Sequence, residues 1–205
     1  RQPLSDGRAR VFHARRNDEM IQALVAKYCF AAKLKIAFTS TAQRNHSWLS
    51  RWLMQQMDAV ISTCDAAAQY LDHRQPDIIV PHGIDTQLYT PPANKTLAWQ
   101  QLGLPGEFGI GVFGRIRHSK GIDVLVDAAI SVLPQVTGAT VVIVGECLAK
   151  DADFQATLKQ KIAAAGLNDR FIFLGKQPFE RLPELFRGMS IVTALSRHEG
   201  FGLTP

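Results

Sequence analysis

The chain has 205 residues, 46% of them apolar and 20% charged, the balance of an ordinary globular protein and long enough for one large domain or one and a half small ones. No run approaches the roughly 20 apolar residues that a membrane-spanning helix needs, and the polar start Arg1-Gln2-Pro3 is not followed by a signal-peptide apolar stretch. Three scattered cysteines (Cys29, Cys64, Cys147) without a CxxC pair argue against a disulfide framework and a zinc site and fit a reducing cytoplasm, while the net charge of +5 favours anionic partners without choosing among nucleic acid, an anionic membrane surface and a phosphorylated small molecule.

Strand-like and helix-like runs alternate along the chain. Residues 11–13 read as the end of a strand. Residues 18–35 read as a helix with Met20, Leu24, Tyr28 and Ala31 on one face, capped by Asn17 and closed by Lys33 and Lys35. A strand over 36–39 and a helix over 43–56 follow, the latter with Trp48, Leu49, Trp52 and Leu53 at helical spacing; Trp48 and Trp52 are expected to pack into a core, with contact to a membrane as the alternative. Strands at 58–63 and 77–80 enclose a helix at 65–72. The Pro- and Gly-rich stretch 81–92 reads as an inter-domain linker.

A second series begins beyond it. Helices are expected at 94–102, 120–133, 153–165 and 182–188, and strands at 108–113, 139–144, 170–174 and 190–194. Near-continuous apolar strands between amphipathic helices imply a parallel sheet covered on both faces. Ligands of such sheets bind beyond the carboxyl ends of the strands, which directs attention to the loops after 113, 144, 174 and 194.

Two of these loops carry chemistry. Residues 114–121 follow a strand and open a helix, and Arg115 and Lys120 add full charge where a helix N-terminus already suits phosphate. The alternative is a solvated basic loop. In the loop 198–205, Gly200 and Gly202 allow close backbone approach and Glu199 suits sugar hydroxyls.

The order V-F-G-R-I-x-x-x-K-G-I-D-V-L (112–125), V-V-I-V-G (141–145), F-L-G (173–175) and S-R-x-E-G-F-G-L-T-P (196–205), with V-P-H-G-I-D (80–85) and a later Y-x-P, resembles glycosyltransferase family 4, retaining enzymes of GT-B fold. The resemblance covers about residues 58–205. It implies that Arg115 and Lys120 hold the diphosphate of a nucleotide sugar, and that Glu199 is the first Glu of the family's E-x7-E motif and meets the donor hexose. The second Glu would fall two positions beyond Pro205. Gly114, Gly200, Phe201 and Gly202 would present backbone to sugar and phosphates, Leu203 and Thr204 would open the helix aimed at the diphosphate, and Gly145, Glu146, Lys176 and Gln177 would lie near the nucleotide. The stretches F-H-A-R-R-N-D-E-M (12–20), F-T-S-T-A-Q-R (38–44) and R-W-L-x-x-x-M-D-A-V-I-S-T (51–63) resemble bacterial lipopolysaccharide-core mannosyltransferases in particular. Thr39 stands where many relatives carry an acceptor-side His, so His13 or His46 is the candidate substitute. Arg15, Arg16 and Arg44 are candidates to meet an anionic acceptor, with a solvated surface as the alternative.

Two motifs are rejected. Gly109, Gly111 and Gly114 spell GxGxxG, but the glycines sit within the strand rather than after it, which argues against a dinucleotide site. Asp151-Ala152-Asp153 spells DxD, yet it precedes a helix and reads as an N-cap rather than a metal ligand.

The expectation is therefore an α/β chain of two Rossmann-like parallel-sheet units of GT-B type: residues 1–80 a partial acceptor-side unit, 81–92 a linker, and 93–205 a nearly complete nucleotide-sugar-binding unit cut short at its end. The expected reaction is retaining hexosyl transfer from a nucleotide diphosphate sugar, without metal or cofactor. The resemblance implies mannose from GDP-mannose as the hexose and a lipid-linked lipopolysaccharide core as the acceptor, in the cytoplasm or at the inner membrane face. The alternatives are a nucleotide-sugar-binding fragment with no activity of its own and a nucleic-acid-binding α/β domain.

Overall fold

The computed structural model describes residues 9–197. The chain divides into two compact units, with the boundary between Gly83 and Ile84.

The first unit is a four-stranded parallel sheet in the order β1 (Arg10–Ala14), β2 (Leu34–Ser40), β3 (Ala59–Ser62), β4 (Ile78–Ile79). Helices α1 (Asn17–Tyr28), α2 (Trp48–Gln55) and α3 (Asp65–Ala68) connect the strands. Because neighbours in the sheet are also neighbours in sequence, right-handed crossovers place all three helices on one face. Met20, Ala23 and Leu24 of α1 and Leu53 and Met54 of α2 pack there on Ile36, Phe38 and Val60 of the strands. Each such buried aliphatic side chain contributes about 1.5–3 kcal/mol of transfer free energy.

Three local expectations are corrected in this unit. Helix α1 stops at Tyr28, well short of residue 35: Ala31 takes φ 50°, and Leu34–Ser40 alternates in burial as a strand. Lys33 and Lys35 therefore lie outside the helix, and Lys27 is its last-turn cation. Asn17 does not cap α1; Arg16 holds that position, and the Asn17 Nδ2 donates instead to Ser50 Oγ of α2 at 2.8 Å. Helix α2 begins only at Trp48, where Ser47 Oγ accepts from the Ser50 amide. Its two tryptophans do not enter the core. Trp48 is 74% and Trp52 52% exposed, because Ser50, Leu53 and Met54 define the buried side of the helix.

The second unit is a parallel sheet in the order β7 (Phe171–Gly175), β6 (Ala139–Val144), β5 (Phe108–Phe113), β8 (Met189–Thr193). Every residue of β6 is buried, as its unbroken apolar run requires of a central strand covered on both sides. Helices α5 (Ile122–Val132) and α6 (Ala152–Ala164) supply Ile122, Leu125, Val126, Leu158 and Ile162 to one face. Helices α4 (Lys95–Gln101) and α7 (Leu182–Gly188) supply Trp99 and Leu185 to the other. Asn94 caps α4 by accepting from the Leu97 amide at 3.0 Å.

Gly109 and Gly111 of the GxGxxG string serve this packing. A Cβ on Gly109 would collide with the Trp99 ring, and one on Gly111 would lie 2.7 Å from Met189 Cγ. Asp151 does occupy the N-cap position of α6, but its side chain makes no capping hydrogen bond.

Candidate functional site

The order β7-β6-β5-β8 contains a reversal. From β5 the chain moves outward through β6 to β7, then returns to the other side of β5 as β8. All strands are parallel, so their carboxyl ends share one edge. The crevice at that edge opens between β5 and β8, where crossovers leave in opposite directions. The two loops that border it are those singled out by their residues: 114–121 after β5 and the segment leaving β8 at Ala194.

Backbone hydrogen bonds join the loops along this edge. The Gly114 amide donates to Val144 O, Ile116 to Glu146 O, and Gly145 to Gly175 O, each at 2.9 Å. Gly145 sits at φ 154°, and a Cβ there would fall on the carbonyl of Gly114, so the loops after β5 and β6 meet backbone to backbone. Ile116, 1% exposed, is driven into the core and pins the loop. Arg115 is exposed. The stem of Lys120 passes over Gly114, where a Cβ would stand 3.8 Å from Lys120 Cε. Both cationic side chains thus belong to one short turn at the crevice.

The segment after β8 is fastened to the same turn. The Arg197 amide donates to Ser119 O at 2.9 Å. Its guanidinium makes a two-pronged pair with Asp123, at 2.9 and 2.7 Å, and also donates to His118 O. Hydrogen bonding from Arg197 holds the Asp123 carboxyl below the ordinary carboxylate range, against a smaller opposing effect of burial. Gly121, at φ 67°, backs directly onto the Leu195 carbonyl. Arg197 and Asp123 stand 74 positions apart; both lie within the quoted motifs, but no local pattern marks them as partners, so sequence reasoning gave them no role.

Of the remaining donor-side candidates, Lys176 is exposed after β7 and Glu146 half-buried after β6. Gln177 turns inward, donating to Leu174 O at 2.6 Å and accepting from Arg181 at 2.8 Å, so its side chain shapes the loop. Glu199, Gly200, Phe201, Gly202, Leu203 and Thr204 lie outside the described residues.

In the first unit His13 Nε2 lies 2.7 Å from Thr39 Oγ1, joining the last turns of β1 and β2. His46 Nε2 stands 3.4 Å from Ser40 Oγ, with its ring edge-on to His73 at 6.1 Å. Burial, followed by the nearby His73, Arg44 and Arg51, lowers the His46 pKa. Arg15 and Arg16 are exposed at the start of α1, and the Arg15 amide donates to Glu19 at 2.6 Å. His13 and His46 therefore each sit beside a hydroxyl at the carboxyl edge of this sheet.

The chain is 42% identical over 203 residues to the lipopolysaccharide core biosynthesis mannosyltransferase LpcC of Rhizobium leguminosarum bv. viciae, covering 99% of this chain and 56% of that protein. It is likewise 42% identical to LpsB, of the same description, from Rhizobium meliloti, covering 96% and 55%. The chain thus spans about half the length of these relatives. Among solved structures, the C-terminal domain of a group 1 glycosyl transferase (LpcC) from Francisella tularensis superposes with a TM-score of 0.58 at 41% identity, over 60% of this chain and 63% of that one. Anabaena HepE in complex with UDP superposes with a TM-score of 0.76 at 25% identity, over 91% and 53%. The α/β fold class of Rossmann-like parallel sheets is that of these GT-B enzymes. The family model for group 1 glycosyl transferases matches residues 96–205, which takes in the whole β5–β8 sheet and its edge. The chain belongs to the group 1 glycosyl transferases.

Proposed function

We propose that the second unit binds a nucleotide diphosphate sugar at the β5/β8 crevice, and that the protein transfers the hexose with retention to a saccharide acceptor. The observation that carries this reading is the coincidence of the topological reversal with the turn bearing Arg115 and Lys120, fastened to the β8 segment through Arg197. As the bond from the anomeric carbon to the diphosphate breaks, negative charge gathers on the leaving group. In this reading Arg115 and Lys120 meet it, and cations carried on a preformed turn reorganise little during the reaction. In this reading they take the role that a metal ion fills in other transferases. Glu199 and the helix opened by Leu203 and Thr204 would complete the hexose and diphosphate contacts.

GDP-mannose is the proposed donor and a lipid-linked lipopolysaccharide core, met at the cytoplasmic face of a membrane, the proposed acceptor. The two Rhizobium relatives described as lipopolysaccharide core mannosyltransferases support this choice. Isothermal calorimetry with GDP-mannose, UDP-glucose and single-stranded DNA tests the proposal. Binding of GDP-mannose in preference to the other two is expected. Binding of DNA with neither nucleotide sugar would overturn it.

A further inference from the structure

The turn at 114–121 carries a third cation, Arg117, that the fold leaves unused. It stands between Arg115 and Lys120, and the Lys120 amide donates to its carbonyl at 3.0 Å, which closes the turn. The carbonyls of the next two residues are also taken, that of His118 by the Arg197 guanidinium and that of Ser119 by the Arg197 amide. On the other side the Ile116 amide is fixed on Glu146 O. The backbone that bears Arg117 is thus tied both to the loop after β6 and to the segment after β8.

The Arg117 side chain is half-buried. Its Nε is sealed from solvent and has no hydrogen-bond partner. The two terminal nitrogens are not sealed, and they too have no partner among the described residues. Glu146, whose carbonyl receives the neighbouring amide, forms no ion pair with Arg117, and Asp123 is occupied by Arg197. An unpaired donor shut away from water is a cost to the fold, and few buried polar groups go without a partner. A guanidinium keeps its charge at any working pH, and its planar fork matches phosphate oxygens. A sealed stem with an open, unneutralised fork, on a turn that borders the β5/β8 crevice, has the form of a preset anion ligand.

We propose that Arg117 meets the charge that appears on the diphosphate as the sugar departs; this rests on the reading that the 114–121 turn holds a nucleotide diphosphate sugar. The bound donor carries one ionised oxygen on each of its two phosphates, which Arg115 and Lys120 match. When the bond from the anomeric carbon to the diphosphate breaks, its electron pair stays on the terminal phosphate oxygen. The acceptor hydroxyl oxygen bonds to that carbon, and its proton is finally released to water. The nucleoside diphosphate left behind carries a third negative charge, fully developed above the second ionisation of a terminal phosphate at a pH of roughly 6. Arg117 engages that third charge. It therefore binds the departing group more strongly than the intact donor, the condition for raising kcat rather than only lowering KM. Its contribution depends on the diphosphate being held already by Arg115 and Lys120.

Arg117→Met tests this, because Met keeps an unbranched stem while removing the charge and the sealed Nε donor. In calorimetry at a pH well above roughly 6, the unaltered protein should bind GDP more tightly than GDP-mannose. In Arg117→Met, GDP should weaken by about tenfold and GDP-mannose by about twofold or less. Turnover should fall by about the same tenfold, with the donor KM nearly unchanged. Arg117→Lys should recover part of the preference for GDP, through charge without the fork. Thermal unfolding should find Arg117→Met as stable as the unaltered protein or more so, since an unsatisfied buried donor is gone. Equal weakening of both nucleotides, no weakening of GDP, or a lowered melting temperature in Arg117→Met overturns the proposal and leaves the donor reading standing. Failure of the unaltered protein to bind either nucleotide overturns both.

Discussion

Replacing Gly121 with Ala probes whether the two sides of the crevice must keep their present approach. The residue is at φ 67°, where an alanine costs about 1–2 kcal/mol more than glycine. The new Cβ would also fall on the Leu195 carbonyl and stand 2.9 Å from its carbon, against backbone that has no rotamer to relax into. Overpacking of that kind costs a further 1–3 kcal/mol or so, for a total of about 2–5 kcal/mol. Relief requires the two loops to part by about 1 Å, a misplacement that can reduce turnover on the order of 100-fold. Gly166 supplies the matched control. It has nearly the same φ, 69°, but nothing within 4 Å of an added Cβ, and it lies beyond α6 away from the crevice. Gly166→Ala should lower stability by only the conformational 1–2 kcal/mol or so and leave donor binding alone. Calorimetric titration with GDP-mannose, beside thermal unfolding of both variants, reads the difference. If Gly121→Ala binds donor as well as Gly166→Ala does, the close approach of the β5 and β8 loops has no part in the site.

Three further outcomes are expected. Arg197→Lys keeps the charge but loses the two-pronged pair with Asp123, and should raise the donor KM several-fold while changing kcat less, as should Asp123→Asn; steady-state kinetics with varied donor shows the split. Burial alone would push the Asp58 carboxyl up, but hydrogen bonds from Lys27, the Ile36 amide and Lys35 outweigh it and hold the group well below the ordinary carboxylate range. Its depressed folded pKa contributes stability above that range, lost as pH falls toward the folded value; Asp58→Asn should cost about 1–2 kcal/mol at neutral pH and flatten that acid limb in denaturant titrations. His46, whose pKa is lowered chiefly by burial, is a base that folds more readily uncharged, so its contribution is complete above the ordinary histidine value of about 6.5 and declines as pH falls below it. Imidazole resonances followed by NMR should give a His46 midpoint below that value.

The second unit was legible because its signals are redundant. Strands at 108–113 and 139–144 were read to the residue, since continuous apolar runs bounded by glycine and polar residues have one interpretation there. The first unit was harder. Lys33 and Lys35 looked like last-turn cations only while the helix was assumed to pass Ala31, whose left-handed φ no residue preference announces. Trp48 and Trp52 share a helix face with each other but not with Leu53 and Met54, and the helical spacing of Trp48, Leu49, Trp52 and Leu53 does not say which side of that apolar stripe is buried. At the site, the loops could be named from their residues and position. The clamp between Arg197 and Asp123 could not, because it depends on β8 returning beside β5, a matter of topology rather than of local pattern.

The central claim is that the turn at 114–121 holds a diphosphate, and comparing GDP with GMP tests it most directly. The two ligands share a base, ribose and first phosphate, so their difference in Kd isolates the second phosphate. Two charge-assisted contacts from Arg115 and Lys120 should favour GDP on the order of 100-fold. The Arg115→Ala, Lys120→Ala double variant should bind GMP nearly as before and lose that preference. A double variant that still prefers GDP by the full margin would place the diphosphate elsewhere and contradict the account.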